Sequence, residues 1–129
     1  MAKFEGKEKL VRDRIPELIK ARGGRCKFRI ADENEAEGLL LHKLNEELVE
    51  LADAKTDEDR KAEMGDVLDV VDELALRGLV NSSEIGKAIR LVAQISLRYG
   101  IDTAEIDKVR AKKTQTNGGF KKLVVLTAW

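Results

Sequence analysis

The sequence contains little of what marks several common protein classes. Its 129 residues include one cysteine and one proline, and aromatic residues make up 4% of them. With Cys26 alone, the chain can form no internal disulfide and cannot supply three or four thiolates to a zinc ion. Its apolar runs, such as 39–41 and 123–126, are far shorter than the roughly 20 residues that span a bilayer. These absences exclude a disulfide-stabilised fold and a membrane-spanning helix.

The first residues also lack the features of a targeting segment. Residues 1–5 include an acid and no apolar stretch, unlike a secretory or transit peptide. We therefore expect a cytoplasmic protein with no membrane partner. The length suits a single domain over residues 1–129.

Charge is abundant, and its two signs are separated along the chain. Residues 1–30 hold 10 basic and 4 acidic residues, residues 31–75 hold 4 and 16, and residues 76–129 hold 10 and 4. Acidic clusters attract cations and basic clusters attract phosphates. A fold that joins these segments would place both kinds of cluster side by side.

Apolar periodicity and capping signals predict five helices joined by short connections. One helix follows a capping box formed by Asp32 and Glu35 and continues to about residue 54, and the others cover about 15–22, 57–77, 83–99 and 102–113. Residues 26–30 alternate in polarity and residues 121–127 are rich in β-branched side chains, which predicts two short strands that pair. The expected fold class is mostly all-α, a helical bundle built around an acidic helical hairpin, with a small two-stranded β element.

The two helices of this hairpin each carry a pair of carboxylates three residues apart. The first pair is Glu47 and Glu50, and the second, after 12 intervening residues, is Glu63 and Asp66. Residues three apart share a helical face, and steps of about 100° per residue place all four beside the apolar stripes of their helices. The same angles turn three further acids of these helices towards solvent: Glu46, Asp69 and Asp72.

Four acids at an apolar interface repel one another unless they are paired or bind a cation. Ligands that are all oxygen suit Mg²⁺, with Mn²⁺ as a substitute, and Mg²⁺ leaves positions for water and substrate phosphates. The pattern thus predicts a metal site for phosphate chemistry. The alternative is a salt-bridged helix pair, with Lys43 reaching Glu47 and with Arg60 or Lys61 nearby.

The remaining reactive side chains predict no other metal site or catalytic site. A di-iron bundle would need Glu-x-x-His pairs, and the one histidine, His42, has Leu39 three residues before it. We expect a surface or structural role for His42 and an apolar strand position for Cys26. With no Ser-His or Cys-His arrangement, the nucleophile would be a water activated by the metal and oriented by a carboxylate, and the reaction a hydrolysis.

The two acidic motifs and two segments that flank them resemble those of a known superfamily. The Glu46-Glu47-x-x-Glu50 and Glu63-x-x-Asp66 motifs are similar to the signature of the all-α nucleoside triphosphate pyrophosphohydrolases. The segments 9–16 and 113–120 resemble the opening and closing motifs of a MazG-like subgroup often described as phosphoribosyl-ATP pyrophosphohydrolase-like. The chain departs from that subgroup by about one extra helix, over residues 81–98.

The resemblance implies a single MazG-like nucleotide pyrophosphohydrolase domain that assembles as a homodimer or homotetramer. It would use Mg²⁺ held by Glu47, Glu50, Glu63 and Asp66 to cleave a nucleoside triphosphate between its α and β phosphates. Such enzymes include house-cleaning hydrolases of modified nucleotides.

The basic ends of the chain offer candidates for contacts to the substrate phosphates. We expect these contacts from Lys113, Arg12 and Arg14, because charge-assisted bonds to phosphate are strong. For Arg12 a structural salt bridge with a neighbouring acid is equally open.

Two other functions stay open. One is phosphoribosyl-ATP hydrolysis in histidine biosynthesis. The other is a non-catalytic module that binds a nucleotide or nucleic acid, although the scarcity of aromatic residues argues against nucleic acid.

Overall fold

Five helices and three short strands make up residues 8–129, the part of the chain that the computed structural model describes. The helices are α1 (Ile15–Ala21), α2 (Ala36–Asp53), α3 (Asp57–Leu76), α4 (Ser83–Tyr99) and α5 (Thr103–Asn117). The strands are β1 (Lys9–Val11), β2 (Lys27–Ile30) and β3 (Val124–Ala128), and one turn of 3-10 helix (Glu33–Glu35) precedes α2. The predicted class, mostly all-α with a small β element, is confirmed.

The acidic hairpin of α2 and α3 forms the centre of the fold. Thr56 is the N-cap of α3, and its side chain accepts a hydrogen bond from the Asp59 backbone N–H at 3.1 Å. The apolar stripes of the two helices face each other in the main core, where the fully buried side chains include Leu40, Leu44, Leu51, Met64, Val67, Val70 and Leu74. This packing fixes which acidic side chains of each helix face the partner helix.

The sheet is antiparallel, with β3 between β1 and β2. Leu10 and Val125 point into the main core, whereas Val11 and Val124 pack on the opposite face with residues of α1. The pairing predicted between 26–30 and 121–127 is confirmed. Strand β1 was not predicted, because its three residues are too few to show an alternating pattern.

Helices α4 and α5 pack against the hairpin and have the predicted caps. Ser82 and Asp102 accept hydrogen bonds from backbone N–H groups in the first turns of α4 and α5. Helix α5 continues to Asn117, one turn beyond its predicted end, and stops before Gly118, whose φ is 81°. The extra segment 81–98 is thus almost entirely α4, which buries Ile85, Ala88 and Val92.

No helix within residues 8–129 combines the length and the apolar character needed to cross a membrane. The expectation about targeting features rests on residues 1–5, which lie outside the described range.

Candidate functional site

Helices α2 and α3 bring three of the four predicted carboxylates together. One oxygen from each of Glu47, Glu50 and Glu63 lies within 4.8 Å of the others. Glu47 is 5% exposed, Glu63 is half-buried and Glu50 is exposed. We call these three residues the carboxylate cluster; it lies between the helices and opens to solvent beside Glu50.

Two oxygens of the carboxylate cluster have no hydrogen-bond partner. Within the described residues, no donor reaches the buried Oε2 atoms of Glu47 and Glu63. The nearest cation is the Lys43 ammonium, 3.4 Å from Oε1 of Glu47. Buried oxygens without donors are costly, and one ammonium does not balance the cluster even when one of its three carboxyl groups is protonated. The cluster therefore fits a hard divalent cation, which takes oxygen ligands and tolerates solvent at its open side.

Crowding also shifts the protonation of the cluster. The pKa of Glu63 rises to about 9, first because burial disfavours its charge and then because its carboxyl group contacts those of Glu50 and Glu47. Burial likewise raises the pKa of Glu47, against the opposing effect of Lys43. In the absence of a cation, the cluster thus retains a proton at neutral pH, and cation binding must displace it.

Asp66, the fourth predicted ligand, lies beside the carboxylate cluster rather than within it. Its negative charge contributes to the raised pKa of Glu47. Its Oδ1 accepts a 2.8 Å hydrogen bond from Arg12, and its Oδ2 lies 3.6 Å from the ammonium of Lys113. Asp66 therefore connects the cluster to the basic side chains from both ends of the chain.

The three predicted phosphate-binding residues differ in their availability. Arg12 is 6% exposed at its side chain, and its guanidinium bonds Asp66, Asp69 and the Gly118 carbonyl oxygen. It adopts the salt-bridged arrangement that the sequence left open. Arg14 is exposed and bonds Glu17 and a backbone carbonyl, whereas Lys113 is 38% exposed and only loosely paired.

The prediction that Asp69 points to solvent is wrong. Its side chain is 11% exposed and bonds Arg12 at 2.8 Å and Arg110 at 2.7 Å. The position of a residue around the α3 axis shows only where it lies relative to the apolar stripe of that helix. Helix α5 and the loop after β1 cover the side of α3 that carries Asp69. Asp72 is exposed as predicted, and Glu46 lies outside the cluster, paired with Lys43 and the exposed His42.

The salt-bridge alternative accounts for part of the site. Lys43 reaches Glu47 as that alternative predicts. Arg60 pairs instead with Asp57, and Lys61 with Glu58 and Glu105, so neither base neutralises the cluster.

Sequence reasoning missed the part of the site that surrounds Arg12. Asp69 and Arg110 extend its ion pairs, and the Phe120 ring lies 5.0 Å from its guanidinium carbon. The available signal was the presence of Arg12 and Phe120 in the two flanking motifs. Comparisons with family models, curated proteins and solved structures find no match to this chain.

Proposed function

We propose that the protein is a divalent-metal-dependent nucleoside triphosphate pyrophosphohydrolase. It would add water across the anhydride between the α and β phosphates and release a nucleoside monophosphate and pyrophosphate. Mg²⁺ is the proposed cofactor, with Mn²⁺ as a substitute, and modified nucleotides removed in house-cleaning are the proposed substrates.

The observation that carries this proposal is the pair of buried, unpartnered oxygens in the carboxylate cluster. Glu47 and Glu63 each present one such oxygen, and exposed Glu50 lies on the solvent side. A site made only of ion pairs would satisfy these oxygens with basic groups, whereas a cation site leaves them for the metal. The spacing of the acidic motifs resembles that of the pyrophosphohydrolases, which favours a nucleoside triphosphate as the substrate that binds with the cation.

The bound cation would neutralise phosphate charge and activate water, chemistry that oxygen-ligated Mg²⁺ supplies in phosphoryl transfer. The residues of the chain would divide the other tasks. Glu47, Glu50 and Glu63 would hold the cation, Asp66 would lie beside it, and a carboxylate of the cluster would orient the water. The raised pKa of Glu63 makes cation binding release a proton, so activity should increase with pH until the cluster is fully ionised.

Lys113 is the best placed phosphate contact. Its ammonium lies 3.6 Å from Asp66 and its side chain is partly exposed, so it can turn to a phosphate beside the cation at small cost. Arg14 is a second candidate, because only exposed contacts hold it. Arg12 is buried and bonds two aspartates and the Gly118 carbonyl, so it is better assigned to organising the site than to binding substrate.

The test is pyrophosphate release from a panel of standard and modified nucleoside triphosphates, with phosphoribosyl-ATP included. The proposal expects release with Mg²⁺ and none with a chelator, and the preferred substrate separates house-cleaning from histidine biosynthesis. Absence of release from every compound would contradict the proposal and favour the non-catalytic binding module.

A further inference from the structure

A chain of alternating charges runs from Asp66, beside the carboxylate cluster, to the protein surface. Nη2 of Arg12 bonds both Asp66 and Asp69 at 2.8 Å. Asp69 also accepts a 2.7 Å hydrogen bond from Nε of Arg110, whose other end bonds exposed Asp72. Arg12, Asp69 and Arg110 thus each have an oppositely charged neighbour on both sides. We call Asp66, Arg12, Asp69 and Arg110 the ion-pair relay, and Asp72 lies outside it at the surface.

The buried part of the relay is costly to maintain. Burying a charge carries a desolvation penalty, and apolar residues of similar size often serve stability as well as a buried ion pair does. The main core already packs α3 through its apolar side chains. A buried acid at Asp69, one helical turn after Asp66, therefore calls for an explanation beyond the fold.

The position of Asp69 provides that explanation. The Arg12 guanidinium is held by the Gly118 carbonyl at 3.0 Å and lies over the Phe120 ring, and its Nη2 is shared between the two aspartates. Without Asp69, that nitrogen would have Asp66 as its only carboxylate partner. The pair would tighten and neutralise Asp66, which borders the cluster.

We propose that Asp69 is a positioning residue for the metal site and acts through Arg12. Because the Arg12 guanidinium bonds Asp69 as well as Asp66, Asp66 keeps its orientation and part of its negative charge for the cation. The inference rests on the proposed function, because it assumes that the carboxylate cluster binds a divalent metal.

The test measures binding of Mn²⁺ alone to the full chain, with free Mn²⁺ followed by electron paramagnetic resonance. We expect Asp69→Asn to weaken binding about tenfold, the lower end of what residues behind metal ligands contribute. Asp72→Asn is the matched control. It removes a like charge one turn further along α3 and the other partner of Arg110, but it does not touch Arg12. It should bind Mn²⁺ as the wild type does.

A second variant covers the case in which Asp69→Asn does not fold. Arg12→Lys keeps the positive charge, but a lysine cannot reproduce the fork that bonds two carboxylates and a carbonyl. It should weaken Mn²⁺ binding to a similar extent. Both variants are assayed where circular dichroism shows full helicity, which separates loss of the site from loss of the fold.

The outcomes distinguish the two proposals. If the wild type binds Mn²⁺ and a folded Asp69→Asn or Arg12→Lys binds it equally well, the positioning role is wrong and the metal site stands. Equal weakening by Asp69→Asn and Asp72→Asn would also overturn it, since a general charge effect would then explain both. If the wild type does not bind Mn²⁺, the proposed function fails, and this inference fails with it.

Discussion

Glu46 and Glu47 are adjacent in the sequence but lie in opposite surroundings. Glu47 is buried with an unpartnered oxygen, whereas Glu46 is partly exposed and pairs with Lys43 and His42. Glu47→Gln should lower pyrophosphate release by more than about 100-fold, because a metal ligand matters more than residues behind it. Glu46→Gln should lower it no more than about fivefold, the equivalent of ~1 kcal/mol for an exposed pair.

The two variants are compared under saturating Mg²⁺ after their helicity is checked. A larger effect at Glu46 than at Glu47 would mean that the hairpin presents the opposite face of α2 to the metal.

Glu63 should make the metal-free protein less stable as pH rises. Its pKa increases from 4.5 to about 9 on folding, so between these values the folded state holds a proton that the unfolded state has lost. The free energy of unfolding is therefore highest below this window and declines as pH rises through it. The raised pKa of Glu47 acts in the same direction.

The measurement is the thermal midpoint with a chelator present, followed across this pH window. Glu63→Gln, which cannot ionise, should show a shallower decline and exceed the wild type in stability at the alkaline end. Equal slopes would show that Glu63 does not retain the proton. Saturating Mg²⁺ should raise the wild-type midpoint most at alkaline pH, where no proton competes.

Helix α3 supplies two of the proposed site residues, and its start depends on one cap. The Thr56 side chain accepts the Asp59 backbone N–H at 3.1 Å, and loss of such a cap costs about 1 kcal/mol. Thr56→Ala should reduce the free energy of unfolding by that amount in urea titrations followed by circular dichroism. Thr56→Ser retains the hydroxyl and should stay close to the wild type.

Cation affinity provides a second readout for the same pair. Thr56 lies two helical turns before Glu63, so Mn²⁺ should bind both folded variants as it binds the wild type. Weaker binding by Thr56→Ala alone would show that the cap also controls where α3 places its carboxylates.

The elements that sequence reasoning located correctly are those with local determinants. Helix α3 has Thr56 as its N-cap and a regular apolar stripe, and α4 is capped by Ser82 and Gly100, so their ends follow from nearby residues. Three of the four ligands predicted from the sequence do lie together, because helical periodicity and a short connection suffice to place them.

The features that the sequence did not reveal depend on distant contacts. Strand β1 is recognisable only beside β3, and burial of Asp69 requires an arginine 57 residues earlier. Periodicity along one helix cannot show which neighbour covers its other faces. The ion-pair relay therefore emerged only from the assembled fold.

The assembled molecule exposes apolar side chains where α3 leads into α4 and along α4. Leu76, Val80, Ile89 and Leu97 are at least half exposed, and Leu97 is 87% exposed. We expect a second copy of the chain to cover part of this surface, since exposed apolar patches commonly mark association sites.

Sedimentation analysis of the wild type should then show a dimer or tetramer, and Leu97→Lys should shift it towards the monomer. Val49→Lys, at an exposed apolar position on α2, is the control and should keep the wild-type assembly. A monomeric wild type would contradict the expected association.

The loop that holds Arg12 is tied to the far end of the chain. Arg12 donates to the Gly118 carbonyl across 106 residues, and the Asp13 carboxylate accepts the backbone N–H groups of Lys121 and Lys122. A ribosome makes α2 and α3 before it makes residues 118–122. The nascent hairpin can pair its leucines early, but Arg12 and Asp13 lack these partners until residues 118–122 have been synthesised. The order of translation thus lets the acidic hairpin pack before the contacts that hold the Arg12 loop can form.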